Sequence, residues 1–265
     1  KDASYRFNAL VDLAPRLTSD LLAEALSAVR QINDASYRFK AMAALTFRLP
    51  PEEQRPVLAE ALSAARQINY ASYRFEALAD LALHLSPEEQ PPVLAEALTA
   101  ARQINDASYR FRAMATLTSR LPPEEQRPVL AEALTAARQI KDASYRFNAL
   151  VDLAPRLTPE ERRPVLAKAW TAAGQIKYGH HGFSTLVELT SRLPPEEQRP
   201  VLAEALTAVC QIEDESNRTE ALDALAPRLT FDLLTEALTA SRQIRNESYR
   251  FRALAALTLR LPPEE

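Results

Sequence analysis

One phrase returns eight times along the chain, and the interval between its copies is the strongest constraint on the fold. "DASYRF" or a near variant starts at Asp2, Asp34, Tyr70, Asp106, Asp142, Tyr178, Asp214 and Asn246, at spacings of 32, 36, 36, 36, 36, 36 and 32 residues. Self-similarity at a fixed period of this size marks a repeat architecture, in which each copy packs against the next in the same way. The units are 2–33, 34–69, 70–105, 106–141, 142–177, 178–213 and 214–245, with a partial eighth at 246–265.

A representative unit is "DASYRFRAMATLTSRLPPEEQRPVLAEALTAARQIK", Asp106 to Lys141. In its first half Phe111, Met114, Leu117 and Leu121 recur at spacings of three and four, which predicts one apolar stripe on a helix, helix A. Asp106 suits the N-cap, where a carboxylate accepts from an early helical N–H. "LPP" ends helix A. Helix B then starts at Pro123, where a missing N–H matters least, with Glu124 and Glu125 at the positive end of its dipole. Thr158 and Glu161 match a capping box. Pro128, deeper in helix B, is expected to bend or break it. Pro15, Pro155 and Pro227 fall near the end of helix A, in a slot that also holds Phe47, Leu83, Ser119, Ser191 and Leu259. Such tolerance predicts an exposed last turn.

The two 32-residue units support two helices per repeat. They are four residues shorter near the start of helix B, close to one helical turn, so the later apolar face stays nearly in phase. One hairpin has too little core to stand alone, whereas stacked hairpins bury a continuous one. The expected fold is therefore all-α: an α-solenoid of about 7.5 stacked antiparallel hairpins forming a right-handed superhelix. A closed ring is the less favoured alternative.

Composition removes several functional classes. Three glycines in 265 residues leave little for phosphate-cradling loops or nucleophile elbows. The net charge of -3 argues against a nucleic-acid footprint, so RNA is the least favoured partner. Cys210 stands alone, so no intrachain disulfide forms, and a reducing, cytoplasmic setting fits. No apolar run is long enough to span a membrane. A start at Lys1 and an end at "LPPEE" suggest a piece of a longer protein, and exposed half-units would favour end-to-end self-association.

Two slots alternate between copies. Near the end of helix A the series is Ala14, Thr46, Ala82, Thr118, Ala154, Thr190, Ala226, Thr258. At the helix junction it is Thr18, Pro50, Ser86, Pro122, Thr158, Pro194, Thr230, Pro262. The unit of duplication is thus a pair of hairpins, and residues 1–18 and 141–158 are identical. With "LAEALTAARQIKDASYRFNALVDLAPRLT" (Leu130 to Thr158), the chain resembles tetratricopeptide-like hairpin arrays, and more closely those of large bacterial multidomain proteins. These include cyanobacterial and Chloroflexi proteins whose arrays can follow a NACHT-type signalling NTPase. The resemblance implies protein recognition, ligand sensing or scaffolding. The 36-residue unit and the missing Trp-Leu-Gly-Tyr signature depart from the standard tetratricopeptide pattern, so no carboxylate clamp is carried over.

No enzyme, metal or cofactor is expected. Adjacent residues of "SYR" point about 100° apart on a helix and cannot converge as a triad. His84 replaces an Arg on an expected surface, and His180 and His181 lack the i, i+4 spacing of two helical ligands. The varying slots of helix A, the seventh, eleventh and fourteenth, share one face at spacings of four and three. This face is the candidate binding surface for a protein or peptide: Asn8, Asp12, Lys40, Glu76, Asp80, Arg112, Asn148, Asp152, Glu188, Glu220 and Arg252.

One joint departs from its siblings. "YGHHGF" brings Tyr178, His180, His181 and Gly182, while the preceding helix B carries Lys168, Trp170 and Gly174 in place of Glu, Leu and Arg. These seven residues are a candidate pocket, with repacking of the joint as the alternative. If the helix-B Glu pairs with the next helix-A Arg, as Glu132 with Arg146, then Lys168 compensates for the Arg lost at Gly182.

Overall fold

A computed structural model describes residues 19–176 and 180–261, and the chain is an all-α solenoid in them, with no strand. Fourteen α-helices follow one another: α1 Ser19–Arg30, α2 Ala35–Thr46, α3 Pro51–Arg66, α4 Ala71–Ala82, α5 Gln90–Arg102, α6 Ala107–Thr118 and α7 Pro123–Gln139; then α8 Ala143–Leu153, α9 Pro159–Gly174, α10 His180–Ser191, α11 Pro195–Cys210, α12 Glu215–Leu225, α13 Phe231–Arg242 and α14 Glu247–Thr258. Even-numbered helices are helix A of a unit and odd-numbered ones helix B. The helices fall into two compact units, Lys1–Ala133 and Leu134–Glu265. No helix of the described residues is long and apolar enough to cross a membrane.

Local chemistry sets the boundaries. Asp106 accepts from the N–H groups of Ser108 and Tyr109 at 2.8 and 3.0 Å, and Asp34, Asp142, Asp214 and Asn246 cap their helices in the same manner. Thr158 and Glu161 form the capping box that opens α9. Pro155 and Pro227 sit in single 3-10 turns, Ala154–Arg156 and Ala226–Arg228, that finish helix A. The expected break at the deeper helix-B proline is seen in one unit, where residues 87–89 form a separate turn and α5 begins only at Gln90, and does not occur in four others. Pro56, Pro128, Pro164 and Pro200 lie inside helices that run on past them. Each is the sixth residue of its helix, so the carbonyl it leaves without an N–H belongs to the exposed first turn, open to solvent.

Phe111, Met114, Leu117 and Leu121 are all buried, as are Val129, Ala133 and Ala137 of the following helix B. The alternating Ala/Thr slot is buried from Thr46 to Ala226 and exposed at Thr258 in the last helix. Thr46, Thr118 and Thr190 return their hydroxyls to the carbonyls of Met42, Met114 and Leu186 at 2.8–2.9 Å. A threonine that satisfies itself within the helix replaces alanine without orphaning a polar group.

The recurrent Arg of "SYR" is a clamp. Arg74 donates to the carbonyls of Ile68 and Asn69 at 2.6 and 3.3 Å, closing the end of α3, and reaches Gln103 at the end of α5. Arg38 does the same for Ile32, Asn33 and Gln67. Arg146 repeats it with Ile140, Lys141 and Gln175. A cation at a helix C-terminus meets the orphan carbonyls and the negative end of the dipole together.

Helix-B glutamates pair elsewhere than expected. Glu132 takes a two-pronged bond from Arg102 at 2.9 and 2.6 Å, not from Arg146. Arg30–Glu60 and Arg66–Glu96 have the same form, so each helix B pairs with the next helix B at a separation of 30 residues. The reason is stacking: like elements of successive hairpins lie side by side, while the helix-A Arg is already committed to helix-B carbonyls.

This ladder is confined to the first compact unit. Continued along the sequence, its next rungs are Arg138 with Lys168, Gly174 with Glu204, and Cys210 with Glu236 in the shortened repeat. Each has lost a charge partner, and among the described residues none of these six forms an ion pair. The Glu236 carboxylate helps burial push the Cys210 thiol up, which fits the register.

The Arg102 guanidinium bonded to Glu132 holds its carboxyl below the usual carboxylate range. A depressed carboxyl stabilises the fold above its unfolded value and loses that contribution as pH falls through its folded value. Arg102, raised by the same pair, stays charged throughout. Arg102→Met is thus expected to return Glu132 to ordinary titration, read by carbon-13 NMR. At neutral pH it should cost about 0.2–1 kcal/mol, the worth of an exposed pair. Titration of Glu132 unchanged by the substitution would remove the ladder from the stability account.

Candidate functional site

Asn8 and Asp12 of the helix-A face, and Tyr178 of the divergent joint, lie outside the described residues, as do the side chains of His180 and His181. The remaining face residues reach solvent. Lys40, Glu76, Asp80, Arg112, Asn148, Asp152, Glu188 and Arg252 are exposed and Glu220 is half-buried. Two of them are spent on local pairs: Glu188 with Arg192 one turn on, and Arg252 with Asp223 of α12 at 2.9 Å.

In the first compact unit the face folds into a cleft. Lys40, Ala44 and Phe47, the seventh, eleventh and fourteenth slots of α2, line it from one side. Asp80 and Leu83, the eleventh and fourteenth slots of α4, line it from the other, and His84 completes it. Its volume is about 390 Å³. Phe47 and Leu83 remain 52% and 56% exposed, so the apolar lining faces solvent.

Two ring contacts order the walls. The rings of Phe47 and His84 meet edge to face with centroids 4.4 Å apart. Lys40 Nζ stands 5.8 Å from the centroid of Tyr73, an attraction between a cation and a ring face. The cation is thereby drawn toward α4 at one end of the cleft, while the Phe47–His84 pair closes the other.

His84 was not among the face residues selected from sequence. Its slot holds Arg in neighbouring copies. Arg120 uses that slot to donate to the carbonyl of Ala79 at 2.9 Å, a structural bond that the shorter His84 replaces with a ring contact. The usable signal was the coincidence of Phe47 and His84, two departures from the repeat one unit apart.

Among the described residues of the divergent joint, two large rings are packed together. Trp170 of α9 is wholly buried and stacks on Phe183 of α10, centroids 5.6 Å apart and planes 14° from parallel. Lys168 is exposed on the other side of α9. A Cβ on Gly174 would stand 2.5 Å from Ile212 Cγ1, and one on Gly182 would stand 3.2 Å from Ala173 Cβ and 3.4 Å from Phe147 Cζ. Both glycines therefore mark close approach of neighbouring elements.

The clamp missing at Gly182 is supplied in part by the next helix A. Asn217 of α12 stands where most copies carry Tyr. Its side-chain amide donates to the carbonyls of Gly174 and Ile176 at 2.9 and 3.2 Å. In the repeat pattern an Arg at 182 would reach the carbonyls six and five residues before it, so Ile176 is the acceptor that Asn217 takes over, and the Gly174 carbonyl is an addition of its own. Two buried donors of these helices remain unmet, Trp170 Nε1 on α9 and Arg218 Nε on α12.

Among the described residues no cluster of three or more His, Cys, Asp or Glu is arranged to hold a metal ion. No family model matches the chain, and no curated protein matches it. Among solved structures, Ton1535 from Thermococcus onnurineus NA1 is similar over 97% of this chain and 99% of its own, at 13% identity and a TM-score of 0.40. A likeness of that order carries nothing about function.

Proposed function

We propose that the chain is a non-catalytic helical-repeat scaffold that recognises a protein or peptide partner through its helix-A face. The observation that carries this reading is the cleft between α2 and α4. Three varying slots of α2 and two of α4 line it, and its apolar floor is open to solvent. A volume of about 390 Å³ lies within the range of ligand-sized clefts, roughly 300–1,000 Å³. Exposed aromatic and branched side chains beside charged ones are what a recognition surface needs: an apolar centre excludes water, and the charged rim sets register.

The test is selection of displayed random 12-residue peptides on the purified chain, followed by Phe47→Asp and, as a control, Glu52→Lys on the exposed start of helix B. Selected peptides should lose tenfold or more in affinity with Phe47→Asp and keep it with Glu52→Lys. Peptides insensitive to Phe47→Asp would place recognition on another face. Failure to select any peptide, together with retention of a single-stranded RNA at low salt, would favour nucleic acid, because electrostatic contacts are strongest there.

A further inference from the structure

We infer that the α2–α4 cleft takes an extended peptide segment in which one aromatic or branched aliphatic side chain is flanked by an acidic residue on one side and a basic residue on the other. The inference rests on the reading of the helix-A face as the recognition surface and names what that surface selects.

The apolar anchor follows from the floor. Phe47, Leu83 and Ala44 present carbon to a concave space large enough for a bulky side chain, and the Phe47–His84 contact holds one wall in place. Corresponding slots elsewhere are polar or small, as with Thr116 and Ser119, Asp152 and Pro155, Glu188 and Ser191, and Ala224 and Pro227. Leu259 is bulky and exposed, but the preceding helix A offers it Pro227 and not a second bulky apolar side chain. The anchor site therefore belongs to this pair of helices and not to the repeat as such.

The flanking charges follow from the rims. Lys40 has no acidic partner among the described residues, and its ring contact with Tyr73 leaves the ammonium free to meet a carboxylate. Asp80 lies on the opposite wall, one helical turn before His84, and forms no ion pair among the described residues. One unpaired charge of each sign on facing helices is complementary to a segment of opposite order and repels the reverse order.

The experiment uses synthetic peptides with a central Phe or Leu, Glu on one side and Arg on the other, in both chain directions, measured by fluorescence anisotropy. One direction should bind at least tenfold tighter than the same peptide with Ala at its centre. Lys40→Glu should weaken it tenfold or more, and exchanging the peptide's Glu for Arg should recover the loss on the Lys40→Glu protein. Equal binding of the Ala-centred peptide would overturn the anchor. Equal response of Glu- and Arg-bearing peptides to Lys40→Glu would overturn the charge order. In both cases loss of binding with Phe47→Asp would leave the broader recognition reading standing. Binding unaffected by Phe47→Asp would remove that reading as well.

Discussion

Trp170→Ala is expected to destabilise the α9–α10 joint by about 3–5 kcal/mol, the cost of truncating a large buried aromatic. The side chain is wholly buried, and truncation leaves Phe183, itself fully buried, without its stacking partner. Gly182 and Gly174 bring backbone close on either side, so little can relax into the void. Two further substitutions separate packing from polarity. Trp170→Leu restores the residue of other copies but not the volume, and should fall between Ala and wild type. Trp170→Phe keeps a ring against Phe183 and removes the orphaned indole N–H, whose burial without a partner costs about 1–3 kcal/mol. It should therefore be the mildest of the three. Circular dichroism during urea unfolding measures the loss, and hydrogen exchange at α9 and α10 locates it. A loss under 1 kcal/mol for Ala would mean that the joint is not packed around this ring. Trp170 is the chain's single tryptophan, so its wild-type emission reports on this joint alone.

How much of this was legible in sequence depends on whether an interaction runs along one helix or across hairpins. Helix caps and apolar stripes are local, so Asp106, Thr158 and the Phe111–Leu121 series could be read directly. The ladder is not local. Glu132 has Arg146 nearby in the chain and Arg102 a whole repeat behind, and stacking geometry decides for the latter. The pattern of losses did carry the information. Lys168 and Gly174 are both changed on α9, but they belong to different rungs, one facing back to Arg138 and one forward to Glu204. Asn217 shows the same limit. Its bonds to Gly174 and Ile176 span 43 and 41 residues, and a Tyr-to-Asn change beside Glu215 and Thr219 in the next unit does not announce them. The face slots were readable because spacings of four and three place residues together on any helix. The cleft was not, because it depends on Phe47 and His84 meeting across two units.

Gly174→Arg restores the residue that the repeat carries at this slot and is nevertheless expected to destabilise the fold. The register offers the new guanidinium Glu204 as a partner, and an exposed pair of this kind contributes about 0.2–1 kcal/mol. Leaving Gly at the end of a helix adds a gain of up to about 1 kcal/mol. Against both stands the β-carbon, which would meet Ile212 Cγ1 at 2.5 Å, Cδ1 at 2.6 Å and Cγ2 at 3.0 Å. Ile212 is itself buried, and a β-branched side chain has few rotamers in which to retreat. Overpacking of this kind costs about 1–3 kcal/mol and here involves the attachment atoms of the side chain, so its upper range applies. Any shift of α9 also strains the 2.9 Å bond from Asn217 to the Gly174 carbonyl. Gly174→Ala should then cost nearly as much as Gly174→Arg, since the first carbon makes the clash. Ile212→Val, which removes Cδ1, should reduce the cost of Gly174→Ala by at least 0.5 kcal/mol in a double-mutant cycle, the scale of coupling between touching residues. If Gly174→Arg instead raised stability, and Glu204→Gln abolished the gain, the missing rung would be a plain loss of charge. The close approach of α9 to Ile212 would then give way at little cost.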